Sequence, residues 1–359
     1  MRTAISSLVF LVLAGCSDSR SAGPAPAPSK AAPTPAEPPA NAIGIATGAG
    51  VPRYFEPAPP TPPPAPTPGI GAPLASQLVA ALHGYSSESV EPFRVVGNIY
   101  YVGARNIASY LIKTPEGDIL LDTGTREMEP VVRASIEKLG FKLSDIKIML
   151  SGHAHFDHVQ GHAAMQRATG AKVMALGDDA IALESGTDRS PIRAEGWDPV
   201  KVDRVLKDGD TVTLGGTTMT AVWAPGHTPG CTVWTTKTTE KTRTYAVLFH
   251  ACAGPNVGVR LVGNPQFPNL AEESVASFRK LAKLKPDIYL LMHPKDQFEG
   301  KVEAMKAGAT PHPLYDPKGW PKLIASQLAD LEKRIEGDKK LPLPDAPKAD
   351  APKADAPKP

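Results

Sequence analysis

The chain has 359 residues, of which 39 are basic and 37 acidic, so its net charge is +2. This length allows two domains. The near-neutral charge and the lack of a basic patch with interleaved aromatic residues argue against a nucleic-acid partner. Nothing in the sequence points to a protein partner.

The amino terminus has the layout of a secretory signal peptide, because Arg2 precedes an apolar run too short to span a bilayer stably. The run ends in Leu-Ala-Gly before Cys16, which resembles the lipobox of bacterial lipoproteins, where this cysteine is lipidated. Ser17 resembles the pattern of Gram-negative lipoproteins sent to the outer membrane. We therefore expect a signal peptide over residues 1–15 and a lipid anchor at Cys16, on the periplasmic side. An ordinary signal peptide cut nearby is the alternative.

Two segments of the chain lack the large apolar side chains that a core requires. Residues 16–75 are dominated by Pro and Ala, and DAPKA recurs in residues 339–359. Such sequences cannot offset the entropy of ordering, and proline stiffens them towards extended polyproline. We predict a disordered tether that holds a catalytic domain, residues 76–338, away from a membrane, and a disordered tail.

Within the predicted domain, strand signals come first. Two hairpins are predicted over residues 94–102 and 110–121, where turn residues separate short apolar runs. Apolar residues at helical spacing then run from Val131 to Leu139 and stop at Gly140, which predicts a helix with a glycine after its end. The apolar run over residues 146–150 is too short for a stable helix and predicts a buried strand.

The segment after this strand, SGHAHFDHVQGH, is the part around which the rest must be arranged. It places four side chains of metal-binding type within six positions: His153, His155, Asp157 and His158. Zinc prefers imidazole and carboxylate, and a catalytic zinc needs three protein ligands with one position left for water. Four such side chains are more than one open zinc site requires, so they suggest two adjacent metal ions. A histidine-rich surface loop is the alternative.

The remaining chain repeats the pattern of strands and helices. Helices are predicted at 163–168, around 181–183, at 272–284 and within 321–335, and strands at 172–175, 204–206, 211–214, 217–223, 232–235, 245–249 and 288–292. Residues 185–199 have no period and predict a mobile surface loop. Because strands precede helices in each half, the simplest packing is two sheets face to face with helices outside both.

Two further histidines follow predicted strands. His227 lies in PGHTPG, where glycines let the backbone turn closely around the side chain, and His293 precedes Pro294. If all these loops emerge at one sheet edge, one metal would take His153, His155 and His227. The other would take Asp157, His158 and His293. For His227 or His293 alone, a structural role is the alternative.

Other polar residues are assigned from their places beside these loops. Asp122, in LLDTG at a strand end, is predicted to orient a ligand imidazole, with a turn carboxylate as the alternative. Thr228 is predicted to do similar work. The remaining histidines have no such setting and are expected to be structural or surface residues: His83, His162, His250 and His312.

Cys231 and Cys252 remain once Cys16 is assigned to lipid. An oxidising compartment would allow them to pair. However, a hairpin across KTTEKTR would place Cys231 opposite residues near Leu248, so a disulfide is possible but not favoured. Cys252 is instead expected to line the active site as a reactive thiol that does not bind zinc, with thiolate ligation as the alternative. Asn256 is a further candidate pocket residue.

Taken together, LLDTG, HAHFDH and PGHTPG resemble the motifs of the metallo-β-lactamase superfamily, over residues 93–335. The segments NIASYLI, HAHFDHVQG, RATGAKV, GHTPGCTVWT, GNPQFP and YDPKGW resemble the third (B3) subclass of true metallo-β-lactamases. The resemblance implies an α/β fold, the αβ/βα four-layer sandwich, with two mixed sheets and helices on both outer faces. Two departures are Gln160, where a glycine is usual, and Cys252, near a usual serine.

The resemblance implies hydrolysis of a β-lactam ring, and hence antibiotic resistance, with two zinc ions and the six ligands given above. A zinc-bound hydroxide would attack the lactam carbonyl, and Asp157 would orient this nucleophile. The zinc bound by three histidines would polarise the carbonyl oxygen. No protein nucleophile is required.

A glyoxalase II type thioesterase or a lactonase of the same superfamily is the first alternative. Those enzymes usually carry a metal-bridging aspartate after the strand that here ends in VLFHACAGPN. Residues 241–266 contain no acidic residue, which favours the lactamase. A zinc-binding lipoprotein without enzymatic activity is the second alternative.

Overall fold

A computed structural model describes residues 88–294 and 296–342 of the chain. The predicted signal peptide, the lipidation site Cys16, the tether and the tail beyond residue 342 lie outside the described residues. Within the described part, no helix is both long enough and apolar enough to cross a membrane.

The first sheet has seven strands, whose order in space follows the sequence. They are β1 (Phe93–Val96), β2 (Ile99–Tyr101), β3 (Tyr110–Thr114), β4 (Gly117–Leu121), β5 (Ile146–Leu150), β6 (Lys172–Leu176) and β7 (Val202–Leu206). Strands β1 to β4 pair antiparallel, which includes both predicted hairpins, and β4 to β7 pair parallel. Parallel strands end at one edge, so the segments that follow β4, β5 and β6 emerge together.

The second sheet has five strands. They are β8 (Thr211–Leu214), β9 (Thr217–Trp223), β10 (Thr232–Glu240), β11 (Arg243–His250) and β12 (Ile288–Leu291), in the order β12-β11-β10-β9-β8. Strands β11 and β12 pair parallel, and the other pairs are antiparallel. Both sheets are therefore mixed.

The described residues contain seven α-helices. They are α1 (Met128–Lys138), α2 (Phe156–Val159), α3 (His162–Thr169), α4 (Gly177–Ser185), α5 (Leu270–Leu281), α6 (Val302–Lys306) and α7 (Gly319–Asp338). Helix α3 ends at Gly170, whose φ of 68° is a left-handed conformation that glycine adopts without steric cost. A short 3-10 turn, Leu143–Asp145, precedes β5.

Alternation along the strands divides the buried side chains between two cores. In β4, Ile119 and Leu121 belong to the core that the two sheets share, whereas Leu120 belongs to the core beneath α1, α3 and α4. On the far side, Trp320 of α7 packs on His250 of the second sheet, with ring centroids 5.1 Å apart. The layers therefore run helix, sheet, sheet, helix, and the predicted αβ/βα sandwich is confirmed.

Residues 185–199 differ from the mobile surface loop expected from their lack of period. Asp188 is only 5% exposed, and Ser190 and Trp197 are also buried. The Asp188 carboxylate accepts hydrogen bonds from the backbone N–H groups of Ser190 and Ala194, both at 2.7 Å. The buried Asp188 carboxylate therefore fixes the conformation of this irregular segment. Because side chain to backbone hydrogen bonds hold it in place of a regular apolar face, its sequence shows no helical or strand periodicity.

Candidate metal centre

The loops that carry the predicted ligands meet at one edge of the sandwich. The histidine cluster follows β5, His227 follows β9 and His293 follows β12. Where the two sheets come together, the backbone N–H of Thr232 in β10 donates to the carbonyl of Gly152, at 2.8 Å. The hydrogen bond fixes the histidine loop of the first sheet against the second.

The first group at this edge consists of three imidazoles. The ring centroids of His153 and His155 are 4.7 Å apart. The ring of His227 lies 4.5 Å from that of His153 and 4.6 Å from that of His155. One ring nitrogen of each lies within 4.8 Å of the others. These three residues could therefore hold a metal ion and leave a coordination position open.

The second group lies directly beside the first. His158 Nε2 is 3.4 Å from Asp157 Oδ2 and 3.2 Å from His293 Nε2. His293 Nε2 is 3.3 Å from Asp157 Oδ2, and the His293 side chain is 46% exposed, so the site opens to solvent on this side. One potential metal-ligating atom from each of His153, Asp157 and His158 also lies within 4.8 Å of the others. The two groups are therefore adjacent.

Hydrogen bonds at the far nitrogens determine which nitrogen three of the histidines present. His227 Nδ1 donates to the carbonyl of Gly254 at 2.8 Å, and His293 Nδ1 donates to the carbonyl of Asn106 at 3.0 Å. His158 Nδ1 donates to the Asp122 carboxylate at 2.7 Å. Each bond fixes the tautomer and leaves Nε2 as the lone-pair donor, which is how proteins orient metal-ligating histidines.

The buried nitrogens of this cluster fit a metal ion. Both ring nitrogens of His153 and Nε2 of His155 are buried without a hydrogen-bond partner among the described residues. A buried polar atom without a partner costs about 1–3 kcal/mol, and several at one point are rare in a folded protein. Metal ligation at the predicted positions would satisfy them.

Burial sets the protonation of the first group. It lowers the pKa of His155 to about 4 and that of His227 to about 3, and it lowers the pKa of His153 well below the usual range. At Asp157 burial raises the pKa, but His158 and His293 outweigh it and hold the pKa well below its usual range. Neutral imidazoles and an ionised carboxylate are the forms that bind metals.

Asp122 lies where it can orient a ligand. Its Oδ2 accepts from His158, and its Oδ1 accepts the backbone N–H of Gly152 at 2.7 Å. The residue has a φ of 58°, a left-handed conformation that is uncommon for residues with a Cβ. Its carboxylate therefore joins the end of β4 to the histidine loop.

Sequence reasoning missed Asp179, the acceptor for Thr228. The Thr228 hydroxyl donates to Asp179 Oδ2 at 2.7 Å, so it reaches a carboxylate rather than a ligand ring. Asp179 is 2% exposed and follows β6, whose end lies at the same sheet edge as those of β4 and β5. An acidic residue shortly after the predicted strand β6 was therefore the signal in the sequence that could have identified Asp179.

Cys252 does not provide the free thiol that was predicted. It forms a disulfide with Cys231, with the two Cα atoms 5.9 Å apart. The prediction was wrong because β10 runs to Glu240 while β11 begins only at Arg243, so the turn is not at the middle of KTTEKTR. The pair Trp234↔Phe249, moved outward by three residues on each strand, places Cys231 opposite Cys252. The sulfur is therefore neither a free thiolate that could bind zinc nor a reactive thiol. That Cys252 lines the active site stays a prediction.

The remaining predicted pocket residue and the departure at Gln160 have structural partners. Asn256 is half-buried after β11, and its backbone carbonyl accepts from the Arg334 guanidinium at 2.7 Å. The Gln160 side chain accepts from the N–H of Arg126 at 3.1 Å and donates to the carbonyl of Gly196 at 3.0 Å. Gln160 thus connects the loop after β4 to residues 185–199.

Fold and site together define a metallo-hydrolase. Residues 102–293 match the model of the metallo-β-lactamase superfamily, and the matched region runs from the end of β2 to His293. The chain belongs to this superfamily, as the sequence motifs predicted.

Solved structures of the superfamily are similar over most of their length. The FEZ-1 metallo-β-lactamase from Legionella gormanii is 37% identical, with a TM-score of 0.68 over 70% of this chain and 98% of that chain. BJP-1, a subclass B3 metallo-β-lactamase of Bradyrhizobium japonicum, is 37% identical, with a TM-score of 0.67 over 72% of this chain and 98% of that one.

Curated relatives carry a different name. A hydroxyacylglutathione hydrolase from Hyphomonas neptunium is 32% identical over 34% of this chain, and the match spans 40% of that relative's length. One from Fuscovulum blasticum is 30% identical over 61% of this chain and 69% of its own length. The two lactamase structures are thus matched over nearly their whole length, whereas the two curated relatives are matched over 40% and 69% of theirs.

Proposed function

We propose that the protein hydrolyses the β-lactam ring of small-molecule antibiotics, with two zinc ions as cofactors. The observation that carries the proposal is the 37% identity to metallo-β-lactamases that are matched over 98% of their length. A match of this extent includes the loops around the site as well as the elements that all superfamily members share.

The donor set supports zinc as the metal. We assign His153, His155 and His227 to one ion and Asp157, His158 and His293 to the other. Imidazole and carboxylate suit zinc, and three protein ligands to each ion leave room for water and substrate. When bound, zinc polarises a carbonyl oxygen and lowers the pKa of water to about 7.

Besides binding metal, Asp157 has a second role in the proposal, which is to orient the attacking water. Its ionised carboxylate is 4% exposed and faces the imidazoles of both groups. From there it accepts a hydrogen bond from water and orients that water towards the lactam carbonyl carbon. The water oxygen would bond to the carbonyl carbon and give up a proton to solvent while the carbon–nitrogen bond of the ring breaks. The nitrogen would take up a proton through the solvent-exposed side beside His293.

Thioester hydrolysis is the second candidate, because the curated relatives are hydroxyacylglutathione hydrolases. Such an enzyme usually supplies a metal-bridging aspartate after the strand equivalent to β11. Here that strand is followed by Ala251, against which Gly152 packs closely, and by the disulfide-bonded Cys252. No carboxylate is available from residues 241–266, all of which the structure describes, and this favours the lactamase.

Paired turnover assays on one preparation test the proposal. We expect hydrolysis of a chromogenic cephalosporin and little hydrolysis of an S-acylglutathione thioester. Thioester turnover with an inert cephalosporin would overturn the proposal in favour of the second candidate. Zinc binding without either activity would indicate the non-enzymatic zinc-binding lipoprotein.

We also propose that the enzyme is anchored by lipid at Cys16 on the periplasmic side of the outer membrane. The support is the Leu-Ala-Gly-Cys motif, with Ser17 after it and a Pro/Ala-rich segment that follows. Substitution Cys16→Ser is expected to move the protein from the membrane fraction to the soluble fraction of the cell envelope. A wild-type protein already found in the soluble fraction would contradict the anchor.

A further inference from the structure

Asp179 lies behind the metal centre, between the two loops that supply the first group of ligands. It is near the start of α4, which begins directly after β6, and its side chain is buried. No metal-binding group found among the described residues includes it. Its carboxylate is therefore a candidate for a role that acts through other residues.

Three hydrogen bonds converge on this carboxylate. Oδ2 accepts the backbone N–H of Ala154 at 2.8 Å and the hydroxyl of Thr228 at 2.7 Å. Oδ1 accepts the backbone N–H of Gly230 at 2.8 Å. Ala154 stands between the ligands His153 and His155, and Thr228 is adjacent to the ligand His227. One side chain thus connects both ligand loops.

The packing around Gly230 shows how closely the second loop approaches α4. A Cβ at this position would lie 2.4 Å from the carbonyl oxygen of Leu176 and 2.6 Å from the Asp179 Cβ. Contacts this short are not tolerated, so glycine is required where the loop passes α4. The hydrogen bonds therefore form within a tightly packed contact, which restricts the alternatives open to either loop.

Only a carboxylate satisfies all three donors. Both oxygens accept from N–H or O–H donors, so the group takes part as the ionised carboxylate, even though burial raises the pKa of Asp179 to about 6. An asparagine would turn an NH₂ group towards Gly230, or towards both Ala154 and Thr228. At least one donor would then face another donor in a buried setting.

We propose that Asp179 is a positioning residue that fixes the spacing between the His153–His155 segment and His227, and so sets the affinity and geometry of the first metal site. This inference rests on the proposed binding of zinc there. It does not depend on which substrate the enzyme hydrolyses, because the loops must be held at the same spacing for any chemistry at that ion.

Zinc affinity of the full chain, measured by competition with a chromophoric chelator, tests the role in Asp179→Asn. We expect at least a tenfold weaker affinity at one site, as is common when a residue that orients metal ligands is lost, and an altered absorption spectrum of the cobalt-substituted protein. Asp118→Asn is the matched control. Asp118 is equally buried and pairs with Lys113 Nζ at 2.8 Å, but it is at the opposite end of β4 from Asp122.

A second pair of variants covers the case in which Asp179→Asn does not fold. Thr228→Val removes one of the three donors, whereas Thr228→Ser keeps the hydroxyl, so zinc affinity should be weaker in the valine variant than in the serine variant. Wild-type affinity and an unchanged cobalt spectrum in folded Asp179→Asn would overturn the proposal. Equal losses in Asp118→Asn would do so too, since they would indicate general destabilisation. A protein that binds zinc but leaves β-lactams intact would refute the proposed substrate and leave this test valid.

Discussion

The candidate metal-binding residues show how a sequence can concentrate buried polar side chains that find few partners within the protein itself. His153 is 2% exposed, yet neither of its ring nitrogens has a partner among the described residues. His227 lies in the loop after β9, where its Nδ1 donates to the backbone carbonyl of Gly254. Loss of a ligand from this cluster should therefore remove metal binding without removing the fold.

His227→Ala is expected to lower cephalosporin turnover by more than about a hundredfold. Loss of a residue that only orients a ligand typically costs about 10–100-fold, and loss of the ligand itself should cost more. Circular dichroism should show the wild-type fold, since His227 is in a loop and belongs to neither core. His312→Ala is the control. His312 is also buried, but its ring nitrogen pairs with the backbone carbonyl of Val95 and not with any residue of the candidate metal centre. An unfolded His227→Ala protein would support a structural role instead.

His250 has the structural role that the sequence suggested, and this gives a prediction for stability against pH. Burial lowers its pKa to about 4 in the folded protein, whereas the unfolded value is about 6.5. Between these values the unfolded chain binds a proton that the folded protein does not. The free energy of unfolding should therefore fall as pH falls from 6.5 towards 4.

For His250→Asn, the slope of the free energy of unfolding against pH near pH 5 should be smaller than in wild type by about 1 kcal/mol per pH unit. Urea unfolding of both proteins in excess chelator, at several values between pH 4.5 and 6.5, measures this slope without any contribution from metal. Parallel slopes would mean that His250 is protonated in the folded protein.

At the scale of elements, the hairpin of β10 and β11 shows where sequence reasoning failed. The apolar residues alone predict shorter strands, but the threonines of KTTEKTR continue the ladder to the pair Glu240↔Arg243. Threonine is β-branched and favours strands. The turn is therefore the two residues 241 and 242, which lie beyond the middle of KTTEKTR. This displacement of the turn along the chain sets the register that brings Cys231 and Cys252 together.

The disulfide closes a loop with a sequence separation of 21, so it should stabilise the protein by about 3 kcal/mol through the entropy of the unfolded chain. Cys231→Ser with Cys252→Ser should unfold at lower urea concentration by a corresponding amount. Thiol titration of the folded wild-type protein should find neither cysteine free, and alkylation should leave turnover unchanged. Rapid alkylation at Cys252 with loss of turnover would contradict the bond.

At the scale of the whole molecule, local patterns were sufficient for most of the fold. Strand and helix periods, with glycines such as Gly140 and Gly170 at helix ends, predicted most elements to within a few residues. Contacts between distant segments could not be read in this way. Asp179 and Thr228 are 49 residues apart, and nothing local to either shows that their side chains meet.

In the candidate site, too, local motifs could be read from the sequence and contacts between distant segments could not. HAHFDH is one contiguous motif, and the structure brings it together with His227 and His293 because β5 of the first sheet and β9 and β12 of the second end at one edge of the sandwich. The hydrogen bonds that select the ring nitrogens depend on Gly254 and Asn106, whose carbonyls carry no residue-specific signal. The grouping of these metal-binding side chains was therefore predictable, and the partners that orient them, apart from Asp122, were not.

The most direct test of the account is a zinc titration of the metal-free full chain, followed by turnover of a chromogenic cephalosporin. Because the site offers ligands for metal but no protein nucleophile is needed, we expect no turnover without zinc and full recovery when both groups of ligands are filled. Turnover at the wild-type rate in protein shown to be free of metal would contradict the account.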